Sequence, residues 1–142
     1  MKKYKVGYTT GVFDLFHIGH LNILKHSKQM CEHLIVGVST DELVENYKNK
    51  RTVIPFRERI EIVKSICYVD EVVPQTDINK LNAWPALKFN VLFVGSDWKG
   101  SDKWNSYEKE FAKIGVDIIY FPYTEGTSST LLKEVLNGIL ER

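Results

Sequence analysis

The chain has little cysteine, no long apolar run and almost no excess charge of either sign. Its two cysteines, Cys31 and Cys67, are too few for a disulfide framework, and their apolar sequence surroundings predict reduced core thiols. No apolar stretch is long enough to span a bilayer and none of signal type follows residues 1–4, which predicts a cytoplasmic protein without membrane insertion. The net charge of +1 argues against a general attraction to nucleic acid, so no such partner is expected.

The composition is that of one globular domain, which we expect to span residues 1–142. Hydrophobic residues make up 44% of the chain, and runs rich in valine and isoleucine alternate with helical patterns. Strands are predicted over residues 5–9, 34–38, 71–73, 91–94 and 117–121, and helices over residues 17–30, 56–66, 103–114 and 130–140. This alternation predicts an α/β fold: a single-domain, Rossmann-like, three-layer α/β/α arrangement with a five-stranded parallel sheet.

The most informative motif is the pair His17 and His20, with Gly19 between them, where the first strand gives way to a helix. Residues three apart lie on one face of a helix, so both imidazoles can reach one small object. A helix N-terminus favours an anion, and Gly19 lets a phosphate approach the backbone, so the motif predicts a nucleoside-triphosphate site. Zinc is the alternative for paired histidines, but no third ligand stands at metal-ligand spacing nearby, so we predict no protein-bound metal.

The segment before the histidine pair, residues 9–14, has its own predicted roles. Gly11 permits a tight turn whose amides can hold a base or a phosphate. Phe13 is expected to anchor the loop in the core, and Asp14 to tie it to nearby backbone. We therefore expect a rigid, ligand-facing loop after the first strand.

Three other features have both a structural and a functional interpretation. The basic residues 48–51 form, by themselves, a solvated surface loop. Trp98 follows the fourth strand, at the edge where ligands of parallel sheets bind, or is simply half-buried in a loop. Ser128 and Ser129 are N-cap candidates for the last helix, or hydroxyls that hold phosphates. The remaining expectations are a surface connector at His33 and pairing of Arg57 and Arg59 with Glu58, Glu61 or another subunit.

Two separated stretches resemble one family. Residues 11–20, with the sequence GVFDLFHIGH, are similar to the signature of the HxGH nucleotidyltransferases. Residues 124–130, with the sequence TEGTSST, are similar to the (R)TEGxSTT stretch of the cytidylyltransferase branch. Shorter matches at residues 39–42, 68–72 and 95–98 follow in the family's order. The resemblance spans nearly the whole chain and is closest, in size and order, to the glycerol-3-phosphate cytidylyltransferases.

The resemblance implies an attack by a phosphate oxygen of a small phosphorylated alcohol, sn-glycerol 3-phosphate, on the α-phosphorus of CTP. Pyrophosphate is released, and Mg²⁺ accompanies the triphosphate, whose oxygens supply most of its ligands. A homodimer is implied, with residues 68–72 near the contact. The implied catalytic residues are His17, His20 and Lys50, and the implied acceptor-binding residues are Lys48 and Lys80. The implied nucleotide-binding residues are Thr10, Gly11, Val12, Phe13, Ile18, Gly19, Asp97, Trp98, Tyr123, Thr124, Glu125, Gly126, Thr127, Ser128, Ser129 and Thr130.

Two positions depart from the family pattern. Tyr123 and Cys67 stand where relatives carry arginine, and neither a phenol nor a thiol replaces a planar, permanently charged guanidinium. Either neighbouring lysines take over, or the nucleotide or acceptor differs from those implied. The alternatives are an adenylyltransferase acting on a sugar phosphate or FMN, and a nucleotide-binding module without turnover. A flavodoxin-like carrier ranks last, because its phosphate loops are of another type.

Overall fold

The computed structural model describes residues 2–122 and 128–140, which form a wholly parallel sheet with helices packed on it. The strands are β1 (Tyr4–Gly11), β2 (Cys31–Ser39), β3 (Glu71–Gln75), β4 (Val91–Gly95) and β5 (Asp117–Phe121). The helices are α1 (Ile18–Met30), α2 (Asp41–Lys48), α3 (Phe56–Lys64), α4 (Trp84–Leu87), α5 (Asp102–Ala112) and α6 (Ser129–Leu140), with short 3₁₀ helices at Lys80–Ala83 and Ser96–Trp98. The predicted α/β class and five-stranded parallel sheet are confirmed.

The order of the strands identifies the edge at which a ligand is expected. That order is β3-β2-β1-β4-β5, and every neighbouring pair is parallel. The chain moves outward from β1 to β3 and then crosses back to β4, so the order reverses between β1 and β4. Ligands of open α/β sheets bind beyond the carboxyl ends of the strands at such a reversal. Gly11 and Gly95, the last residues of β1 and β4, mark this edge.

Two hydrophobic cores lie on opposite faces of the sheet. Consecutive residues of β4 alternate between them, because successive side chains of a strand point to opposite faces. Val91 and Phe93 belong to the core that contains Leu24 of α1, whereas Leu92 belongs to the core that contains Phe111 of α5. All five side chains are at most 1% exposed, and burial of each contributes about 1.5–3 kcal/mol. The predicted three-layer arrangement follows from this alternation.

The helix α2, like the short α4 and the two 3₁₀ helices, is an element that the sequence pattern did not predict. Thr40 is its N-cap, and the Thr40 hydroxyl accepts a hydrogen bond from the backbone N–H of Leu43 at 3.2 Å. Asn49 ends it in the left-handed conformation, with φ of 53°. The helix therefore occupies most of the segment between β2 and the basic residues 48–51.

Within residues 2–122 and 128–140, no helix combines the length and the apolar character needed to cross a membrane.

Two expectations about individual residues are wrong. Cys31 is fully buried as predicted, but Cys67 is exposed and is not a core thiol. It lies just beyond α3, where the chain turns towards β3. His33 is not a connector but lies inside β2, with its Nε2 3.7 Å from Oε1 of Glu71.

Candidate functional site

The loop between β1 and α1 is held in an unusual backbone shape by the burial of one aromatic ring. Phe13 (φ 55°) and Leu15 (φ 49°) both occupy the left-handed region, which residues other than glycine rarely adopt. Phe13 is 5% exposed and packs in the core with Leu24, so its predicted anchoring role is confirmed. Gly11 is not the expected turn residue, since it ends β1 as part of the strand. A Cβ at Gly11 would lie 2.9 Å from the Phe13 ring, so glycine leaves the space that this ring occupies.

Asp14 ties this loop to two other parts of the chain and is only 2% exposed. Its carboxylate accepts hydrogen bonds from the backbone N–H groups of Val53 (2.8 Å) and Ile54 (2.9 Å) and pairs with Lys133 Nζ at 3.0 Å. Its carbonyl oxygen accepts a hydrogen bond from the Ser129 hydroxyl at 2.5 Å. Burial acts to raise the pKa of Asp14, but these donors outweigh burial and hold the pKa below its ordinary value. The predicted structural role of Asp14 is confirmed, and it extends to α6.

His17 and His20 cap the helix on which they stand. His17 is the N-cap of α1, and its Nδ1 accepts a hydrogen bond from the backbone N–H of Gly19 at 3.0 Å. His20 reaches back, and its Nδ1 accepts from the backbone N–H of His17 at 3.2 Å. The two bonds form a capping box built from imidazoles, and the ring centroids are 4.0 Å apart. The Gly19 N–H is therefore satisfied by the His17 ring, and the approach of a phosphate to Gly19 stays a prediction.

This capping fixes which nitrogen of each ring carries a proton. A neutral imidazole has one donor and one acceptor nitrogen, and here Nδ1 is the acceptor in both rings. Burial lowers the pKa of His17, and burial followed by the charge of His17 lowers the pKa of His20 from 6.5 to about 4. Both rings are therefore neutral at pH 7, with the proton on Nε2. The pair offers two N–H donors rather than two positive charges.

A first cleft, which we call the histidine cleft, opens beside His20 at the carboxyl end of β1 and has a volume of about 510 Å³. Among its lining residues are the predicted Ser129, Thr130, Lys48 and Lys50. It is also lined by Thr10, Gly11, Val12, Phe13, Asp14, Lys133 and Glu134. The structure thus brings one histidine of the pair together with the last helix and the basic loop.

Lys133 is a residue of this cleft that sequence reasoning missed. Its ammonium lies against the buried carboxylate of Asp14, and its charge helps to lower the pKa of Lys48, after burial and before Lys50. Lys133 and Lys50 are therefore both close enough to Lys48 to repel its ammonium group. Within residues 2–122 and 128–140, Asp14 is the one carboxylate that forms an ion pair with any of these three ammonium groups. The cleft is suited to an anion of high charge.

A second cleft, which we call the tryptophan cleft, adjoins the first through Thr10, Gly11, Val12, Val44 and Lys48. It is lined by the last residues of three strands, Gly11, Ser39 and Gln75. The predicted Lys80 and Trp98 line this cleft, together with Lys103, Trp104 and Tyr47. Two adjoining clefts, one lined by histidine and one by aromatic residues, suit two substrates that react with each other.

Several predicted residues lie elsewhere. Ile18 is 49% exposed and lines neither cleft, and the exposed Asp97 also lies outside both linings. Ser128 is an ordinary N-cap, since its hydroxyl accepts from the backbone N–H of Leu131 at 3.0 Å. The predicted Tyr123, Thr124, Glu125, Gly126 and Thr127 lie outside the described residues.

Arg59 holds the backbone of two cleft-lining residues, Val12 and Ser39, and the expectation that it pairs with neighbouring glutamates or another subunit is wrong. Its side chain is fully buried. The guanidinium donates to the carbonyl oxygens of Val12 (2.6 Å), Ser39 (2.8 Å) and Ile54 (2.8 Å) and to Oδ1 of Asp41 at 2.7 Å. It therefore joins the loops that follow β1 and β2 to the start of α2. The partner was not foreseen because α2 itself was not predicted.

Acid should destabilise the protein through His20. The unfolded chain binds a proton at His20 below about pH 6.5, whereas the folded protein does so only below about 4. The unfolded state therefore binds more protons between these values, and the free energy of unfolding falls as the pH is lowered. We expect His20 to account for about 3 kcal/mol of the loss between pH 7 and pH 4.

Urea unfolding at pH 7 and pH 4 measures this loss in the wild type and in His20→Gln. Glutamine keeps an acceptor for the capping box but does not titrate. The loss should shrink by about 3 kcal/mol in this variant. It should be unchanged in His26→Asn, a control at an exposed position of the same helix. An equal loss in His20→Gln and the wild type would contradict the shifted pKa.

Comparison with known proteins supports the resemblance found in the sequence. Residues 8–135 match the family model described as cytidylyltransferase-like. The chain is 34% identical over 138 residues to the glycerol-3-phosphate cytidylyltransferase of Bacillus subtilis (strain 168), covering 92% of this chain and 96% of that protein. It is 29% identical over 142 residues to the FAD synthase of Thermococcus sibiricus (strain DSM 12597 / MM 739), covering 99% and 96% respectively.

Solved structures show the same fold. The lipopolysaccharide core biosynthesis protein from Thermoplasma volcanium GSS1 superposes with a TM-score of 0.71 at 22% identity, covering 87% of this chain and 99% of that chain. A pantoate-beta-alanine ligase from Francisella tularensis superposes with a TM-score of 0.64 at 18% identity, covering 100% of this chain and 72% of that chain. The Rossmann-like character of the sheet is thereby confirmed.

Proposed function

Because the chain belongs to the cytidylyltransferase-like family and is a nucleotidyltransferase, we propose that it transfers a cytidylyl group from CTP to sn-glycerol 3-phosphate. A phosphate oxygen of the acceptor attacks the α-phosphorus of CTP in line, and the bond from that phosphorus to the pyrophosphate oxygen breaks. The products are CDP-glycerol and pyrophosphate. The choice of acceptor is supported by the identity to an enzyme of that name over nearly the whole of both chains.

The observation that carries this proposal is the Nε2–H donor of His20 in a cleft with three lysines, with the His17 ring 4.0 Å from the His20 ring between centroids. Transfer of a phosphoryl-type group depends on positioning and on neutralising the charge of the phosphates more than on covalent chemistry. His17 and His20, each held through Nδ1, would donate to triphosphate oxygens at the start of α1. Neutral donors are sufficient there, because Lys48 and Lys50 supply positive charge.

The lysines divide between the two substrates by their position. Lys50 lines the histidine cleft and not the tryptophan cleft, and it would contact the triphosphate during transfer. Lys48 lines both clefts and would contact the acceptor phosphate at the point where the two substrates meet. Lys80 lies in the tryptophan cleft, on the acceptor side. Lys133 would add charge near the triphosphate, while its bond to Asp14 keeps α6 on the loop after β1.

The hydroxyl groups at the start of α6 are not equivalent. Ser128 is engaged by the Leu131 backbone N–H and Ser129 by the Asp14 carbonyl oxygen. Thr130 also lines the histidine cleft, and within the described chain no hydrogen bond is assigned to its hydroxyl. We therefore assign phosphate binding in this turn first to Thr130.

A magnesium ion would enter with the triphosphate. The described residues contain no group of three or more histidine, cysteine or acidic side chains that could hold a metal by themselves. Both carboxylate oxygens of Asp14 are engaged, so Glu134 is the carboxylate of the histidine cleft that fits as a ligand. Mg²⁺ commonly takes one or two carboxylates and completes its shell with phosphates and water, which agrees with this lining. The ion would offset triphosphate charge.

The second candidate function is adenylyl transfer, and the similarity to an FAD synthase favours it. That protein matches over 99% of this chain, although at lower identity than the glycerol-3-phosphate cytidylyltransferase. Tyr123 and Cys67, where the cytidylyltransferases carry arginine, leave the choice of base open. FMN or a sugar phosphate would then be the acceptor of an adenylyl group from ATP.

Release of pyrophosphate over a grid of nucleotides and acceptors tests both candidates. We expect CTP with sn-glycerol 3-phosphate to give the highest kcat/KM, at least about 10-fold above ATP with any acceptor, because a base pocket that pairs polar groups discriminates strongly. Turnover of ATP with FMN in preference to CTP would establish the second candidate. Binding of CTP without release of pyrophosphate for any acceptor would show a nucleotide-binding module without turnover.

The homodimer and the cytoplasmic location stay predictions from the sequence. Residues 68–72, proposed near the dimer contact, include Tyr68, Val69 and Val72, which pack partly buried against the protein's own core. Sedimentation of the purified protein measures its oligomeric state.

A further inference from the structure

A third cleft, which we call the alanine cleft, opens between the edge strand β3 and the short helix α4 and has a volume of about 400 Å³. Val73 and Pro74 line it from the strand, and Ala83 and Ala86 line it from the helical side. Alanines three residues apart lie on one face of a helix and occupy little space, so a slot is left beside the strand. Its volume is within the range of small-ligand pockets.

The alanine cleft contains the hydroxyl group of a buried tyrosine. Tyr8 of β1 lines the cleft although it is only 2% exposed, and its ring stacks on Phe89 with the centroids 4.9 Å apart. A Cβ at Gly37 would lie 2.5 Å from the Tyr8 oxygen, so the hydroxyl lies over the bare backbone of β2.

This hydroxyl has no partner in residues 2–122 and 128–140. No hydrogen bond is assigned to the Tyr8 hydroxyl there, and burial is the one cause that raises its pKa, to about 12. Among the described side chains, the Ser27 hydroxyl alone is fully enclosed without a partner, so the unbonded Tyr8 oxygen is accessible from the cleft. Buried hydroxyl groups normally have a partner, and a ligand in the cleft would supply one.

Two charged residues belong to the described lining, and neither is placed to select an ion. Asp77 accepts from the Asn79 backbone N–H at 2.9 Å and from the Asn82 side-chain amide at 2.6 Å. Lys80 Nζ lies 5.5 Å from the centre of the ring of Trp104, which lines the tryptophan cleft and not this one. Burying an ion without a counter-charge is costly, so the alanine cleft favours an uncharged ligand.

The polar groups that stay available require both an acceptor and a donor on the ligand. The Tyr8 hydroxyl is protonated at pH 7 and can donate. Asn82 uses its amide nitrogen on Asp77, which leaves its carbonyl oxygen to accept. An uncharged amide carries a carbonyl oxygen and an N–H group side by side, whereas the apolar side chains of the cleft suit a ring.

We propose that the alanine cleft binds an uncharged aromatic amide, whose carbonyl oxygen accepts from the Tyr8 hydroxyl and whose N–H group donates to Asn82. The ring would lie between β3 and the alanines of the helical side. The cleft adjoins the tryptophan cleft through Gln75 and Lys80, which line both. The inference does not depend on which reaction the protein catalyses.

Three probes of nearly the same shape test the proposal by NMR titration of the full chain: benzamide, benzoate and benzamidinium. Benzoate has no donor and benzamidinium has no acceptor, whereas benzamide has both. We expect benzamide to bind with a Kd of about 1 mM, and the two ions at least about 5-fold more weakly. The backbone resonances of Val73, Asn82 and Leu87 should shift with benzamide, and that of His20 should not.

Two variants locate the site. Tyr8→Phe removes the hydroxyl but keeps the ring on Phe89, so benzamide should bind about 3–10-fold more weakly. Its melting temperature should equal or exceed that of the wild type, because the lost hydroxyl has no partner in the fold. Ala86→Leu fills the slot and should abolish binding. Ala112→Leu, at the exposed end of α5 outside the cleft, is the matched control and should bind as the wild type does.

Several results would overturn the inference. One is the absence of any shift with benzamide at about 10 mM, ten times the expected Kd. Equal affinity for the three probes would remove the preference for an uncharged amide, and unchanged affinity in Tyr8→Phe or Ala86→Leu would remove the site from this cleft. A melting temperature of Tyr8→Phe more than about 3 °C below the wild type would show that the hydroxyl has a partner within the fold. No readout uses turnover, so failure of the proposed function leaves this test unaffected.

Discussion

Replacing His17 by asparagine, or His20 by glutamine, should lower kcat by about 10²–10³-fold for each variant, as loss of one preorganised donor does elsewhere. Each substitution replaces an imidazole Nε2–H group, proposed to donate to the triphosphate, by an amide whose N–H groups lie at other positions. The loss should fall on kcat more than on KM for CTP, because a donor that strengthens with developing charge acts mainly in the transition state.

These variants are preferable to alanine because both histidines also stabilise the fold. From the sequence alone, alanine at either position is expected to have little effect on stability, since neither residue belongs to the core. The structure shows that alanine would delete a capping acceptor of α1, at a cost of about 1 kcal/mol per position. Asparagine at the N-cap and glutamine three residues later are residues that such caps commonly use.

Steady-state kinetics of pyrophosphate release and thermal unfolding of the same samples together separate the catalytic role of the histidines from their capping role. We expect melting temperatures close to the wild type together with the large loss of turnover. His26→Asn, at an exposed position of α1, is the control and should retain activity. Unchanged turnover in both His17→Asn and His20→Gln would remove the histidines from the mechanism.

Replacing Arg59 by leucine should lower the free energy of unfolding by about 3–5 kcal/mol, as breaking a buried ion pair does. The guanidinium satisfies three carbonyl oxygens and one carboxylate oxygen of Asp41. Leucine fills part of the volume but leaves those acceptors without donors, each at the cost of desolvation. Arg59→Lys keeps the charge but not the planar set of donors. Its free energy of unfolding should therefore lie between those of the wild type and Arg59→Leu.

Urea unfolding at pH 7 gives this difference, and Arg57→Leu is the matched control on the same helix. Arg57 is exposed, so its replacement should change the free energy of unfolding by no more than about 0.5 kcal/mol. An equal free energy of unfolding in the Arg59→Leu and Arg57→Leu variants would contradict the role of Arg59 in joining the loops.

Much of the fold is predictable because the strands are strongly apolar. Residues 34–38 and 91–94 are nearly continuous apolar runs, which are typical of strands in a sheet covered on both faces. The helix α2 is not predictable in this way, because it has eight residues and most of them are polar. Its existence depends on the Thr40 cap and on the contacts of Asp41 with Arg59 and Thr52.

The candidate site likewise contains some residues that the sequence reveals and others that it does not. The histidine pair, the basic loop and the serine turn are each made of residues that are neighbours in the sequence. A sequence motif can therefore reveal each of them. Lys133 and Lys103 are single charged residues on amphipathic helices, where a lysine normally faces solvent. Only the packing of α6 against Asp14, and of α5 beside Lys80, brings them into the clefts. Tertiary contacts between distant segments supply this information.

The use of both Nδ1 atoms as cap acceptors has a stereochemical consequence. The one unprotonated nitrogen of each neutral ring faces the backbone, so neither His17 nor His20 presents a lone pair with which to attack phosphorus. The transfer proposed above would then be a single displacement by the acceptor oxygen. A single displacement inverts the handedness of an isotopically or sulfur-labelled phosphorus centre, whereas two successive displacements through a ring-bound adduct would restore it.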